Sequence, residues 1–540
     1  MGAKAIISTT TVLATLLCNL NLYGQGWRAL ASWGGLANES LEALLHLPDG
    51  STLAGGTFTG EVRMGGNILR SVGAEDIFIA EFRSAAEPGL YLHLGSPGQD
   101  LLGGMGLSTN GGLYCGGTFW QQLNLPGGTA LVPAKNPKAV FAAQFAPGPG
   151  KSLKWARMIE GGRLKELCAI APAPDGGLLL AGYFSDTLFV DTFSLPASGK
   201  TDAFLVRLDA LGQVVWAKRF GGRGDVRIKA MVLAPGETPV IAGVYNDQAI
   251  FGNTSLVANT RDWDIFVAAL GMDGSLRWAR KAGGVYDDEV HAIAADRGGN
   301  LYLTGQFLGV LDLGPGQGVQ SQDGNADGFV LKYQPNGTPL WGKVFSGDKL
   351  QIARAIAVQD SIIAIAGFFQ ENLRADGNSL NGSEVFNGFL AFMQTDGRVR
   401  ELIGLPGELP VFPEAVVAAD GQSWKVGGVY RKAGLWGPLS LPAVVGGFDI
   451  FLAYWGLLPT RTSEPYWSEA LEIFPNPAPD GIRIRHPDQK NFGLVLFDLN
   501  GRLLEEVPDA DFLPTSHLAP GVYILEIRSG NEKIFRRFIR

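Results

Sequence analysis

Short apolar runs separated by Gly-, Asn- and Asp-rich turns follow one another along the chain, without the period of a helix. The segment from His291 to Val344 shows the pattern most clearly. It predicts strands at 291–295, 301–307, 327–332 and 340–344. Tight turns are expected at 297–300 and at Asn336-Gly337, and a long polar loop at 308–326 joins the second and third strands. The predicted unit is therefore a sheet of four antiparallel strands.

This unit recurs seven times. A Gly-centred signature ends each second strand, and its central glycines are Gly56, Gly117, Gly182, Gly243, Gly305, Gly367 and Gly428. A phenylalanine near the start of each third strand keeps the same spacing, at Phe78, Phe141, Phe204, Phe266, Phe329, Phe389 and Phe451. Two markers in phase indicate one supersecondary unit that is repeated and stacked.

Seven such sheets bury their faces only by packing against one another around an axis, so the sequence predicts an all-β, seven-bladed β-propeller over residues 26–456. The last repeat lacks a fourth strand. Residues 27–35 match residues 155–162, the fourth strand of another repeat, and are expected to complete the last sheet. Trp155, Trp216, Trp278 and Trp341 stand in phase and are expected to fill the space between blades.

Composition and charge narrow the function. The formal net charge is −8 and the sequence pI about 5.3, which gives no electrostatic case for nucleic-acid binding. With 75 Gly and 30 Pro in periodic positions, the chain is expected to contain many tight turns rather than disorder. The 5 His are too few and too scattered to suggest a metal centre, and no cofactor is expected.

The first residues have the features of an export signal. Lys4 precedes an apolar stretch at about 11–22, which predicts a signal peptide over residues 1–24 with cleavage near Gly24. Cys18 leaves a lipid anchor as the alternative. No other apolar run is long enough to span a bilayer, so no transmembrane span is expected in the mature chain.

Two cysteines, Cys115 and Cys168, lie beyond the signal segment. They occupy different strand positions in neighbouring repeats. Export permits a disulfide, whereas the positions favour buried free thiols. Both interpretations are kept.

The 61-residue spacing stops near residue 456. A Pro-, Thr-, Ser- and Glu-rich linker at 457–470 precedes alternating apolar strands at 471–540, which predict a small Ig-like β-sandwich. Three motifs stand out in this tail, at residues 473–477, 496–502 and 518–525.

Both parts resemble known families. Residues 293–294, 299–305 and 327–332 are similar to the bacterial SBBP β-propeller repeat, although Ala139 and Asn387 replace its strand-opening Asp. The tail resembles the type A sorting domain of the type IX secretion system, found in Bacteroidota. This resemblance implies that the secretion machinery is a partner and that the mature protein is secreted through the periplasm or held on the outer-membrane surface. The matching sorting residues are Pro475, Asn476, Pro477, Asp498, Gly501, Arg502, Pro520, Gly521 and Tyr523.

Catalytic signatures are missing from the sequence: it contains no nucleophile elbow, paired Cys-x-x-Cys, zinc helix motif or phosphate loop. His46, His93 and His291 lie at or near strands and are interpreted as structural. An aspartate two places before the marker phenylalanine is interpreted as a turn cap rather than a cation ligand; it recurs at Asp76, Asp202, Asp264, Asp327 and Asp449.

Two further short motifs have ordinary explanations. Residues 223–225 spell Arg-Gly-Asp, a cell-attachment tripeptide that also arises by chance in a Gly-rich chain. The acidic run at 287–289 is interpreted as a solvated turn, with weak cation or ligand binding as the alternative.

Antiparallel topology places the tight turns on one side of each sheet and the long, variable loops on the other. Ligand contacts are expected on the long-loop side, with Trp120, Trp263, Tyr286 and Asp287 as candidates. The favoured function is an exported binding module for a glycan or a protein. The alternatives are a polysaccharide hydrolase or lyase with its site on that side, and a structural or adhesive surface protein.

Overall fold

The computed structural model describes residues 25–64, 67–83, 89–147, 152–314, 316–322, 324–405, 410–419, 423–432, 434–436, 439–441, 444, 446–457, 471–474, 480–486, 492–497, 503–529 and 532–540. One compact unit covers Gln25–Gly456, and Leu457–Arg540 belongs to a second. All regular elements of the described residues are β-strands, so the all-β prediction is confirmed. The same residues contain no helix that is long and apolar enough to cross a membrane.

The first unit contains 42 strands in the described chain. The first fourteen are β1 (Gln25–Trp33), β2 (Glu39–His46), β3 (Thr52–Phe58), β4 (Glu61–Met64), β5 (Asn67–Arg70), β6 (Asp76–Phe82), β7 (Gly89–Leu94), β8 (Leu101–Leu107), β9 (Leu113–Trp120), β10 (Leu123–Asn124), β11 (Ala130–Leu131), β12 (Lys138–Phe145), β13 (Leu153–Gly161) and β14 (Lys165–Pro172).

The next fourteen strands continue the same series. They are β15 (Leu178–Phe184), β16 (Thr187–Val190), β17 (Phe193–Pro196), β18 (Asp202–Leu208), β19 (Val214–Phe220), β20 (Val226–Ala234), β21 (Thr238–Tyr245), β22 (Gln248–Phe251), β23 (Thr254–Val257), β24 (Asp264–Leu270), β25 (Leu276–Ala282), β26 (Glu289–Ala295), β27 (Leu301–Phe307) and β28 (Val310–Gly314).

The last fourteen strands complete the unit. They are β29 (Gln317–Gln320), β30 (Asp327–Tyr333), β31 (Pro339–Phe345), β32 (Gln351–Gln359), β33 (Ile362–Phe369), β34 (Asn372–Ala375), β35 (Asn378–Asn381), β36 (Asn387–Gln394), β37 (Val399–Leu405), β38 (Val411–Ala418), β39 (Trp424–Tyr430), β40 (Gly434–Trp436), β41 (Leu439–Leu441) and β42 (Asp449–Leu457).

Each repeat builds one antiparallel four-stranded arrangement and one short hairpin. In the first repeat the order is β2-β3-β6-β7, while β4 and β5 form the hairpin. The same order begins at β8, β14, β20, β26 and β32, and we number these sheets 1 to 6 in chain order. Sheet 7 has the order β38-β39-β42-β1, so the first strand of the chain forms its outer edge.

The first strands of the sheets contact one another in succession. β2 contacts β8, β8 contacts β14, and the series continues through β20, β26, β32 and β38. β38 in turn contacts β2. These strands therefore surround a common axis, with the outer strands furthest from it.

The long loops are more ordered than the sequence pattern predicts. The predicted polar loop at 308–326 contains the hairpin β28–β29, and the other repeats carry equivalents. These hairpins also bridge back to the preceding sheet, through pairs such as Gly35 with Val62, Gly221 with Ile250 and Gly283 with Asp312. Hairpins with such a bridge therefore link two neighbouring sheets. The sequence pattern predicts a loop at 308–326 because polar residues at the exposed positions of the hairpin outnumber the apolar residues at its buried positions.

The in-phase tryptophans join neighbouring sheets by hydrogen bonds. The indole Nε1 of Trp155 donates to the Ala210 carbonyl at 3.2 Å, and Trp278 Nε1 donates to the Pro335 carbonyl at 2.9 Å. Both acceptors lie in the last turn of the next sheet. Gly337 in that turn has φ of 79°, and a Cβ there would lie 2.6 Å from Trp278 Cε3. Only glycine fits under the ring.

The predicted turn at Asn336-Gly337 exists, but its geometry differs from a two-residue type I′ turn. Only Gly337 has a positive φ, the Gly337 N–H donates to the Gln334 carbonyl, and the pairing shifts between Lys332 and Tyr333. Asn336 instead accepts a bond from the Thr338 N–H through its side-chain oxygen at 3.0 Å. The turn is longer because a bulge absorbs one residue.

The repeated aspartates accept backbone hydrogen bonds on the long-loop side of the sheets that carry them. Asp202 accepts bonds from the Ser198 and Gly199 N–H groups, and Asp264 accepts one from Asn259. Asp76 also contacts His93 Nε2 at 2.7 Å. These contacts support the interpretation as turn caps. Within the described residues, no three His, Cys, Asp or Glu side chains group as ligands for a metal ion.

The second unit contains two antiparallel sheets around one apolar core. One sheet has the order β43-β44-β47 and the other β46-β45-β48-β49. The strands are β43 (Glu472–Phe474), β44 (Gly481–Arg485), β45 (Phe492–Phe497), β46 (Leu503–Ala510), β47 (Phe512–Pro514), β48 (Val522–Ser529) and β49 (Glu532–Ile539).

Candidate functional site

A β-bulge interrupts the first strand of every sheet at the same position. The pairing of first and second strands skips one residue each time, as between Leu41 and Ala43 or between Val290 and Ala292. A bulge re-aims the extra side chain. The seven bulged residues, which we call the axial ring, are Glu42, Gly103, Cys168, Lys229, His291, Arg354 and Glu414.

Contacts between sheets show that side chains of the axial ring converge. Arg354 Nε lies 2.6 Å from Glu414 Oε2 on the next sheet, and Arg354 Nη1 lies 3.3 Å from His291 Nδ1 on the preceding one. Lys229 Nζ lies 2.7 Å from Glu289 Oε1. Sheets 4 to 7 are thus linked by polar contacts close to the axis.

The surroundings of the axial ring shift the pKa values of three of its side chains. Burial, followed by the charge of Arg354, lowers the pKa of His291 to about 4, so its imidazole is neutral at neutral pH. Burial raises the pKa of Glu42 to about 8, and the charge of Glu414 raises it further. Glu42 is therefore mostly protonated at neutral pH. Burial also raises the pKa of the Cys168 thiol.

Above the axial ring, on the long-loop side, Arg227 lies between two aromatic rings. Its guanidinium carbon is 5.2 Å from the centre of the Tyr183 ring and 4.9 Å from that of Trp263. The Tyr183 hydroxyl donates to Glu166 Oε2 at 2.6 Å. Cation–π contacts of this kind orient a guanidinium, and Arg227 Nη2 also lies 3.4 Å from Asp225 Oδ1.

The Arg-Gly-Asp tripeptide belongs to the support of Arg227. Asp225 is buried and accepts a bond from the Thr201 hydroxyl at 2.6 Å. Arg227 Nε donates to the same hydroxyl at 3.3 Å. The acidic end of the tripeptide thus has a structural role inside the loop.

Sheets 6 and 7 present an apolar surface on the same side. Four half-buried rings pack together there, with centroid distances of 4.9 to 5.9 Å. We call them the phenylalanine wall: Phe368, Phe386, Phe412 and Phe448. Phe412 lies on β38, two residues before Glu414 of the axial ring. The wall, the axial ring and the Arg227 cluster together form the axial site.

The structure brings together some of the predicted ligand contacts. Asp287 Oδ1 accepts the Trp263 N–H at 2.9 Å, so these two residues share the edge of the Arg227 cluster. Tyr286 is exposed and its ring lies against Gly309. Trp120 lies apart, against Gly98, and its N–H donates to the Ser96 hydroxyl.

The acidic run at 287–289 is not one solvated turn. Asp287 is exposed, whereas Asp288 is fully buried and accepts the Gly284 N–H at 2.7 Å. Glu289 begins β26 and pairs with Lys229. The three carboxylates differ because the run crosses from the connection between sheets into the first strand.

Sequence reasoning missed the axial ring. Its signal is the residue that precedes a recurring Ala or Gly in each first strand, as in Lys229-Ala230 and Glu414-Ala415. His291 was interpreted as structural, and it lies in the ring beside Arg354. His46 and His93 do make structural contacts, with Lys425 and Asp76 respectively. Cys115 and Cys168 are free thiols.

Part of the predicted sorting motif lies within the described residues. The backbone of Gly521 pairs with Arg540 in both directions at 3.1 and 2.9 Å, and the Tyr523 hydroxyl donates to the Ala519 carbonyl at 2.8 Å. Pro520 precedes this pair. The remaining predicted residues lie outside the described residues: Gly24, Pro475, Asn476, Pro477, Asp498, Gly501 and Arg502.

Comparison with known proteins assigns the tail. Residues 472–540 match the family described as the secretion system C-terminal sorting domain. This match confirms the sorting domain and supports secretion or display at the cell surface.

Two curated proteins show weaker similarity. An uncharacterised WD repeat-containing protein of Acanthamoeba polyphaga mimivirus is 21% identical over 378 residues, covering 56% of this chain and 27% of its own length. The regulatory protein FlaEY of Caulobacter vibrioides is 22% identical over 230 residues, covering 41% and 24%. The chain thus spans about a quarter of the length of these relatives.

Solved structures give broad coverage at low similarity. The extracellular domain of a putative one component system from B. thetaiotaomicron covers 95% of this chain and 99% of its own, with 10% identity and a TM-score of 0.24. The PQQ-bound aldose sugar dehydrogenase of Streptomyces coelicolor covers 65% and 96%, with 14% identity and a TM-score of 0.28. Both scores are low, and the strand pairing alone supports the architecture.

Proposed function

We propose that the chain is an exported binding protein whose ligand, a glycan or a protein, occupies the axial site. In this proposal residues 26–456 form a seven-bladed β-propeller of the SBBP type, completed by β1. Residues 1–24 are a signal peptide, and residues 471–540 form an Ig-like type A domain read by the type IX machinery. The circular series of first-strand contacts supports the propeller.

The observation that carries the binding role is the asymmetry of the axial site. One side offers the phenylalanine wall, and the other offers Arg227 held between Tyr183 and Trp263. Apolar surface with a few fixed polar groups is the usual composition of a ligand site. The ion pairs already present hold the charged groups in place before a ligand arrives.

One observation favours the hydrolase or lyase as a second candidate. Glu42 is mostly protonated at neutral pH, and Glu414 of the neighbouring sheet influences it electrostatically. A protonated and an ionised carboxyl group are the pair that glycoside hydrolysis employs. Glu414, however, is engaged by Arg354, so the binding role is preferred.

The purified full-length chain tests this proposal on glycan and protein arrays. We expect at least one class of ligand to bind, and Trp263→Ala and Phe386→Ala each to weaken binding about tenfold or more, as loss of a central aromatic contact does. Leu211→Ala is the matched control, because Leu211 is exposed in the turn between β18 and β19. Binding that is unaffected by both aromatic substitutions, or turnover of a polysaccharide, would contradict the proposal.

A further inference from the structure

We infer that the axial site binds an organic cation, with its ammonium or guanidinium group at Glu42 and its apolar body against the phenylalanine wall. This inference rests on the proposed function, because it names the chemistry of the ligand for that same site. The cation source is either a basic side chain of a protein or an amino sugar, and the experiment below separates the two.

The partners of the carboxylates single out Glu42. Glu414 has Arg354 as its partner, and Glu289 has Lys229. Glu42, in the described part of the chain, accepts a hydrogen bond from the Ser40 hydroxyl and has no ion-pair partner within contact distance. Ser40 in turn contacts the Thr57 hydroxyl at 2.6 Å. A hydroxyl orients the carboxyl group of Glu42 but supplies no positive charge that would stabilise its ionised form.

The charged groups around Glu42 favour a cationic ligand. The charges that act on it are those of Glu414, Glu75 and Arg354, two acidic groups against one basic group. An anion bound at Glu42 would be repelled by Glu414 and Glu75 and attracted by Arg354 alone. A cation at Glu42 restores the balance of charge, because it is attracted by all of these carboxyl groups once they are ionised.

The phenylalanine wall offers an apolar surface for the uncharged part of the ligand. Phe412 lies two residues from Glu414 on the same strand, and its ring packs 4.9 Å from that of Phe368. Aromatic faces attract cations and bury the methylene groups next to them. β38 contacts β2, the strand that carries Glu42, so Phe412 and Glu42 lie on neighbouring strands, as a ligand with both an ammonium group and an apolar body requires.

The raised pKa of Glu42 also predicts that binding of a cation releases a proton. Burial raises the pKa of Glu42 to about 8, so at pH 7 a bound cation displaces a proton from its carboxyl group. Glu414, Glu75 and Arg354 are the charged groups that influence this titration. Proton release on binding distinguishes a direct contact at Glu42 from a structural role of this residue.

Calorimetric titration of the full-length chain with hexylammonium tests the inference, with hexanol and hexanoate as neutral and anionic probes. We expect hexylammonium alone to bind, and to release protons at pH 7 when buffers of different ionisation enthalpy are compared. Glu42→Gln should weaken binding at least tenfold and abolish proton release. Glu237→Gln, in the turn after β20, is the matched control.

Titration with lysine-containing peptides and with glucosamine oligomers then shows whether the cation belongs to a protein or to an amino sugar. Binding of either ligand that depends on Glu42 supports the inference. Equal binding of hexanoate, or hexylammonium binding that Glu42→Gln leaves unchanged, overturns it. Array binding that depends on Trp263 and Phe386 but not on Glu42 also overturns it, while the proposed function stands.

Discussion

At the scale of single residues, buried carboxyl groups hold the connections between sheets. Asp288 receives the Gly284 N–H, and Asp100 receives those of Ser96 and Trp120. Burial raises the pKa of Asp288 to about 8 and that of Asp100 to about 6. Burial likewise raises the pKa of Glu39 to about 8. These groups favour the protonated form in the folded protein.

The stability of the protein should therefore fall as the pH rises from 6.5 to 8. A folded-state pKa above the unfolded value gives stability that is complete at acid pH and is lost as the pH approaches the folded value. His291, whose pKa is lowered, acts oppositely but only below about 6.5. We expect the thermal midpoint to drop by several degrees across this window.

Asp288→Asn tests the cause, because it removes one titrating group and keeps a side chain of the same size. Scanning calorimetry should show a smaller slope of the midpoint against pH than in the wild type. Asp273→Asn, in an exposed turn, should retain the wild-type slope. An unchanged slope for Asp288→Asn would contradict the assignment.

At the scale of elements, the sequence predicts the strands of the sheets closely but misses what depends on partners. The predicted second strand at 301–307 coincides with β27, because its apolar run is bounded by turns on both sides. The bulges depend on the register between two strands, which local periodicity does not encode. For this reason the axial ring escaped prediction, whereas Trp263 and Asp287, at a loop end, stay predicted ligand contacts.

The hairpins offer a test at this scale. Leu311 on β28 is fully buried in the core between sheets, whereas Val310 beside it is half exposed. We expect Leu311→Ala to reduce the free energy of unfolding by about 3 kcal/mol and Val310→Ala by less than about 0.5 kcal/mol. Urea unfolding followed by tryptophan fluorescence measures both. Equal effects would mean that the hairpin does not contribute to the core.

At the scale of the whole molecule, the first and last sheets are joined by more than β1. Lys425 on β39 is buried, and its ammonium group contacts His46 Nδ1 at 2.8 Å, the Gly50 carbonyl at 3.0 Å and Thr52 Oγ1 at 2.5 Å. Trp27 on β1 packs edge-on against Trp455 on β42 at 5.0 Å. The two ends of the first unit are thus held by polar and aromatic contacts together.

Removal of residues 25–33 should destabilise the first unit strongly, because it exposes the edge of β42 and the apolar surface that Trp27 and Trp33 cover. We expect a lower thermal midpoint and a loss of cooperativity. A permuted chain that carries the same residues after Gly456, through a short linker, should recover most of the loss. A truncated chain as stable as the wild type, or a permuted chain that recovers none of the loss, would contradict the role of β1.

The pairing of β1 with β42 also bears on biosynthesis. Within the first unit β1 is translated before its partner β42, which follows about 400 residues later. Folding of the ring therefore ends only after nearly all of it has been translated, and such distant pairing is slow. Until β42 is made, the backbone N–H and C=O groups of β1 are unpaired and can pair with another chain. A chaperone that covers β1 during this interval would therefore raise the yield of the native protein.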